Sequence, residues 1–184
     1  MLALSNNRWY AVRVKSRHEH SVDRHLRARG LESFLPLCRN RSHWSDRVKH
    51  VEFPLFPGYV FCRFNVEDRL PVLSAPGVVH LVGTGKVPAP IEESEIAAIQ
   101  AAVKAELHRE PWPFLQIGKK VKIARGPLAG VEGILVAVKG RERLVLSVTL
   151  LQRSIAVEIA EDWALPVSSE LATGSQRSSW HSAA

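Results

Sequence analysis

Five aromatic side chains, Phe53, Phe56, Tyr59, Phe61 and Phe64, crowd the twelve positions that follow Glu52. Rings at that density do no covalent chemistry. Each buries about 150–250 Å², and together they supply either a domain core or the anchors of a protein interface. Side chains alternate faces along a strand, so Tyr59 and Phe61 share one face, the turn-borne Phe56 and Pro57 extend it, and the five rings do not all point inward together. For any single ring, core packing is the simpler reading. A second set is cationic. Arg17, His20, Arg24 and Arg27, placed at 100° per residue, gather opposite Val22 and Leu26. Such a stripe is either a solvated helix face or a footprint for a polyanion. The charge distribution bears on this choice: the net charge is +7, residues 1–49 hold 11 Lys/Arg against 4 Asp/Glu, and residues 50–184 hold 14 against 14. The excess is entirely amino-terminal, as expected of a local electrostatic footprint. Arg39, Arg41, Arg47 and Lys49 either add to that surface or keep a hairpin edge from aggregating.

Covalent and metal chemistry find no support. The eight histidines are scattered, with no Ser or Cys nucleophile beside His18, His20 or His25, and the acid pairs Glu67-Asp68 and Glu161-Asp162 are sequence neighbours without a surrounding motif. Cys38 and Cys62 lack a second ligand at short spacing, which argues against zinc and against a disulfide framework and for buried thiols in a reducing cytosol. Gly126, Gly130 and Gly133 precede no Lys-Ser/Thr step and read as turn glycines, not a phosphate cradle. The expectation is a protein that is not an enzyme and uses no cofactor and no metal.

The elements that must position these residues follow from periodicity. Residues 8–15 alternate as a strand, residues 17–29 form a helix ended by Gly30, residues 31–41 form a second strand, and residues 43–50 form a hairpin tip. Residues 59–62 and 78–82 are further strands, with a short helix over 70–74. Ile96, Ile99, Val103 and Leu107 mark a helix over 92–108, stopped by Pro111 and Pro113. From Ile117 the period changes to two, and turn signals divide the stretch into about five short strands, the mark of a small barrel. The chain is therefore expected to be α+β: an amino-terminal antiparallel sheet with flanking helices over 1–109, a linker at 110–116 with Trp112 and Phe114 as anchors, a small β-barrel over 117–167, and a disordered tail over 168–184 that holds an unexplained Trp180. The longest run without a charged residue is 16 positions, broken by prolines and glycines, too short for a membrane span of about 20 residues. No basic-then-apolar leader precedes Arg8. A cytoplasmic monomer without membrane attachment is expected.

The succession Arg8-Trp9-Tyr10-Ala11-Val12, Phe56-Pro57-Gly58-Tyr59-Val60-Phe61, Pro76-Gly77-Val78 and Pro88-Ala89-Pro90-Ile91 before a helix resembles the amino-terminal domain of NusG-type transcription elongation factors. Ile117-Gly118, Val121-Lys122-Ile123, Gly126-Pro127-Leu128-Ala129-Gly130, Glu132-Gly133 and Val157-Glu158-Ile159 resemble its carboxy-terminal KOW barrel. The segment from Glu52 to Phe61 is similar to the specialised branch that includes RfaH, LoaP and UpxY. The resemblance implies an elongation or antitermination factor that rides on RNA polymerase and suppresses pausing or termination. Phe56, Pro57, Tyr59 and Phe61 match positions that press on the polymerase clamp helices. Lys15, His25 and Arg29 match contacts to non-template DNA, nascent RNA being the other nucleic-acid partner, although Ser21 and Ala28 stand where RfaH has arginine. The loop 69–74 matches a contact across the polymerase cleft. Val148, Leu150, Leu151 and Ile155 match the barrel edge that meets a ribosomal small-subunit protein or the termination factor Rho. The alternative is a ribosome-associated or general RNA-binding KOW protein, which leaves the aromatic face without a purpose.

Overall fold

The computed structural model describes residues 6–44, 47–115, 118–138, 141–160 and 162–167, with side chains described outside 39–51 and 138. The expected tail over 168–184 and the side chains of Arg39, Arg41, Arg47 and Lys49 lie outside that description.

The fold is α+β, with antiparallel sheets and few helices. The first sheet is built on β1 (Arg8–Val14), which pairs antiparallel with β5 (Tyr59–Phe64) on one side and β6 (Val78–Leu81) on the other. Strand β2 (Glu32–Phe34) flanks β5, and the short β9 (Pro90–Ile91) pairs with Trp9 and Tyr10. The strand expected over 31–41 is broken at Leu35-Pro36. Beyond the break, β3 (Leu37–Trp44) and β4 (Arg47–Pro54) form a separate ribbon paired from Leu37↔Pro54 to Trp44↔Arg47, so strand pairing extends into the segment expected as a hairpin tip. A small hairpin of β7 (Gly83–Thr84) and β8 (Val87–Pro88) follows β6.

Both faces of the first sheet are covered, which explains why β1 and β5 are buried nearly throughout rather than on alternate residues. One face, with Tyr10, Val12, Val14, Val60, Cys62 and Phe64, packs under Val22 and Leu26 of α1 (Glu19–Ala28). The helix ends in a Schellman motif: Gly30, at φ +77°, donates to Arg27 O and Leu31 donates to Leu26 O, satisfying two of the final carbonyls. The short α2 (Leu70–Leu73) adds Val72 to this layer. The opposite face, with Trp9, Ala11 and Phe61, meets Ile96, Ile99 and Ala102 of α3 (Glu93–Lys104). That helix ends earlier than the apolar spacing predicts. Glu106 takes φ +55° and turns the chain, leaving Leu107 outside the helix.

The second sheet has six antiparallel strands in the order β10-β14-β13-β12-β11-β15: β10 (Arg109–Trp112), β11 (Lys119–Ile123), β12 (Glu132–Val138), β13 (Arg141–Val148), β14 (Arg153–Glu158) and β15 (Ala164–Pro166). Five of these are the strands expected after Ile117. The sixth comes from the segment read as linker, because a proline that lacks an N–H is tolerated on an edge strand, where Pro111 sits opposite Ile155. Val121, Ile123, Leu144, Leu146, Ile155 and Val157 belong to the same contiguous buried cluster as Trp9, Phe61 and Ile99, so a single core joins the two sheets.

Candidate protein and nucleic-acid interfaces

The aromatic segment is shaped by the turn between β4 and β5. Gly58 takes φ +82°, a backbone conformation that side chains rarely adopt, and the Arg13 guanidinium crosses close over it. The Gly58 N–H donates to Glu19 Oε1 at 2.8 Å, Val14 N donates to Gly58 O at 2.9 Å, and Tyr59 N donates to Phe56 O at 3.1 Å. Glu19 is 6% exposed, a carboxylate on the apolar side of α1 whose buried partner is a backbone amide. Its spacing to Val22 and Leu26 puts it in line with the apolar stripe, the one sequence signal that marks it. Glu19→Ala orphans the Gly58 amide and is expected to cost about 1–3 kcal/mol of stability, read as a lower midpoint in urea unfolding. A midpoint equal to that of the parent chain contradicts the assignment.

Phe56 and Phe61 are buried at 1% and 0% exposure, meeting edge to face at 5.5 Å, and Phe61 also meets Phe34 at 6.2 Å. Pro57 is exposed and Tyr59 is half-buried. Two guanidinium groups stack on the Tyr59 ring: Arg13 at 4.8 Å from the first sheet, and Arg153 at 5.3 Å from β14 of the second. Beside this contact, the β13–β14 connection reaches α3, where Thr149 donates from its N (3.2 Å) and Oγ1 (2.7 Å) to Glu95 Oε1. Val148, Leu151 and Ile155 are buried in the cluster that holds Phe56 and Phe61, and Leu150 packs against it half-buried. The residues expected to face two different partners thus lie in one intramolecular contact. Arg13, Glu95, Thr149 and Arg153, which hold it together, carry no local sequence signal, because their partners are on distant elements.

The basic residues do not join this surface. Lys15 and Arg17 follow β1, Arg17 lying at φ +64° in the turn before α1 and not on the helix; Arg24 and His25 are on α1, in the layer on the other face of the sheet. Lys15, Arg17 and Arg24 are exposed and His25 is half-buried. Arg29 is exposed, but its guanidinium donates to Pro71 O and, at 2.8 Å, to Ser74 Oγ, tying α1 to α2. Arg27 pairs with Asp23 at 3.0 Å. Neither cysteine is disulfide-bonded. Burial first, then Glu32 and Asp23, pushes the Cys62 thiol up to about 12, and burial raises Cys38 against the opposing pull of Arg109. Both are neutral thiols near pH 7 and poor nucleophiles. Among the described residues, no three His, Cys, Asp or Glu side chains gather as a metal site, and no helix is long and apolar enough to cross a membrane.

The family model described as transcription termination factor nusG matches residues 7–100, just over half of the chain. The transcription termination/antitermination protein NusG of Helicobacter pylori strain 26695 is 27% identical over 164 residues, covering 82% of this chain and 93% of that protein. NusG of Escherichia coli K12 is 28% identical over 167 residues, covering 83% and 92%. Among solved structures, one titled for domain interaction in Thermotoga maritima NusG shares the fold with a TM-score of 0.55 at 22% identity, covering 89% of this chain and 98% of that one.

Proposed function

The chain belongs to the NusG family of transcription termination/antitermination proteins, and from that premise we propose that it binds RNA polymerase at the clamp helices through the face made by Phe56, Pro57, Tyr59 and Phe61, suppressing pausing or termination. One observation carries this reading. The first sheet already has a helix layer on one face, whereas the aromatic face shares one buried cluster with the second sheet, whose Arg153 stacks on the Tyr59 ring, so that separation of the second sheet uncovers Tyr59 first. The binding-competent form is therefore the one in which that contact has opened. Catalysis plays no part: the protein stabilises one conformation of polymerase, and its effect is bounded by its differential affinity for that conformation.

The second sheet, taken as a KOW-type barrel over 117–167, offers Val148, Leu150, Leu151 and Ile155 to a second partner, a ribosomal small-subunit protein or Rho. These residues and the aromatic face belong to one buried cluster; if opening frees both, each partner favours the open form and strengthens binding of the other by the same factor. Lys15, Arg17, Arg24, His25 and Arg29 offer a separate nucleic-acid surface on the α1 layer, facing non-template DNA or nascent RNA. With three to five phosphates neutralised, log K for a single strand falls against log salt with a slope of roughly −2 to −3.5. Fluorescence anisotropy of a labelled oligonucleotide at several salt concentrations checks this, and salt-independent binding contradicts it. Leu70, 75% exposed, and Leu73 on α2 support a further contact across the polymerase cleft through 69–74. The aromatic segment also supports placement in the specialised branch of the family.

Capture of core polymerase and of ribosomes from the same preparation, side by side, tests the reading. Retention of polymerase supports it, and retention of ribosomes alone replaces it with the general RNA-binding alternative.

A further inference from the structure

The chain between the two sheets is gripped at both ends, and the grips are unequal. From His108 to Leu115 it is held to the second sheet along its length. Glu158 N donates to His108 O at 2.9 Å, four residues of β10 pair with β14 from Arg109↔Val157 to Trp112↔Ser154, and Ser147 Oγ donates to Leu115 O at 3.1 Å. Arg143 reinforces this by pairing with the Glu110 carboxylate and lying 5.6 Å from the centre of the Trp112 ring, while Trp112 and Leu115 pack on Ile134, Val145 and Ala156. Among the described residues, the hold on the first part of the molecule centres on a clasp at Arg109: its Nε donates to Leu37 O at 3.0 Å, Cys38 Sγ donates to its carbonyl at 2.7 Å, and its Nη1 donates back to Leu107 O at 3.0 Å. Immediately before the clasp, α3 ends at Lys104 and Glu106 adopts φ +55°.

We infer that the two sheets separate by pivoting at residues 105–107, with β10 carried along as a strand of the second sheet and the Arg109 clasp as the part of the connection that lets go. This rests on the reading that the aromatic face must be uncovered, and it places the joint ahead of the proline-rich segment 111–113. Hinges of this kind use a few residues at an element end to absorb the backbone change. Three residues span only about 10 Å when extended, so the freed sheet stays at high effective concentration beside the aromatic face and re-docks whenever a partner leaves.

Amide hydrogen exchange on the full chain without polymerase tests this separately from polymerase binding. The Thr149 amide, bonded to Glu95 across the contact, reports docking, and the Glu110 and Trp112 amides report β10. In Arg109→Gln, exchange at Thr149 is expected to rise about ten-fold while Glu110 and Trp112 stay within about three-fold of the parent. An unchanged Thr149 removes the clasp, and Glu110 and Trp112 accelerating in step with Thr149 moves the joint to the prolines. The unsubstituted chain gives an independent readout in low urea: Glu110 and Trp112 are expected to exchange through the same opening as Val145 and Ala156. Exchange of those two amides with Leu37 and Cys38 instead overturns the inference.

Discussion

Leu151→Asp in the full-length chain is expected to raise affinity for core RNA polymerase at least ten-fold. Leu151 lies in the β13–β14 connection, 9% exposed within the cluster that contains Phe56 and Phe61. In the docked arrangement a carboxylate at that position is stripped of most of its water, at a cost of several kcal/mol. Because the cluster around Leu151 draws on both sheets, lifting the second sheet away is expected to return position 151 to solvent and to remove most of that cost, so that the substitution acts mainly on the equilibrium between docked and open forms. Apparent affinity equals intrinsic affinity scaled by the fraction of chain that is competent. A docked form holding nine-tenths of the population therefore hides a factor of ten, and a more dominant one hides more. Titration of labelled protein with core polymerase measures the gain, with far-UV circular dichroism establishing that both sheets remain folded. Equal affinity in a folded Leu151→Asp chain means that the second sheet does not shield the polymerase-binding face.

In that opened background, Tyr59→Ala is expected to weaken polymerase binding by about 30-fold or more, corresponding to about 2 kcal/mol for one aromatic hot spot. Tyr59 is the informative position because it is half-buried and its ring is held mainly by two guanidinium groups. Removing it leaves the rest of the first sheet's packing in place. Phe61→Ala is a poorer probe: its ring is fully buried against Phe34 and Phe56, and its loss costs about 3–5 kcal/mol of folding stability. In the unopened chain the effect of Tyr59→Ala is smaller than in Leu151→Asp, since the substitution also removes the Arg153 stack that favours the docked form, worth about 0.5–1 kcal/mol. The difference between the two backgrounds is itself a measure of that coupling.

What the sequence disclosed and what it withheld divide along the range of the interactions. Alternation at Tyr59, Phe61 and their neighbours assigns the rings to faces, and the structure keeps that assignment, with Val60, Cys62 and Phe64 turned to α1 and Phe61 turned away. The short helix at Leu70, the strand at Val78 and the five strands after Ile117 were equally legible, since each depends on local periodicity and turn residues. The cover on the aromatic face was not. It depends on Arg153 reaching Tyr59 and Thr149 reaching Glu95, contacts that leave no period in the chain. Strand β10 is hidden in the sequence for a different reason: Pro111 and Pro113 are breakers in a helix or a central strand, yet the edge of β14 accepts one. The tie from the Arg29 guanidinium to Pro71 and Ser74 is of the same long-range kind, since nothing in the basic helix marks its partners on α2 and just beyond it.

The central claim is that the face around Tyr59 leaves its own second sheet and seats on the transcription machinery. Placing a photo-crosslinking phenylalanine derivative at position 59 of the full-length chain and irradiating assembled elongation complexes tests it most directly. The account predicts a crosslink to the polymerase clamp helices, growing with occupancy as the intramolecular crosslink to the segment around Arg153 declines. Crosslinks that stay within the chain while the protein is demonstrably bound to polymerase would contradict it.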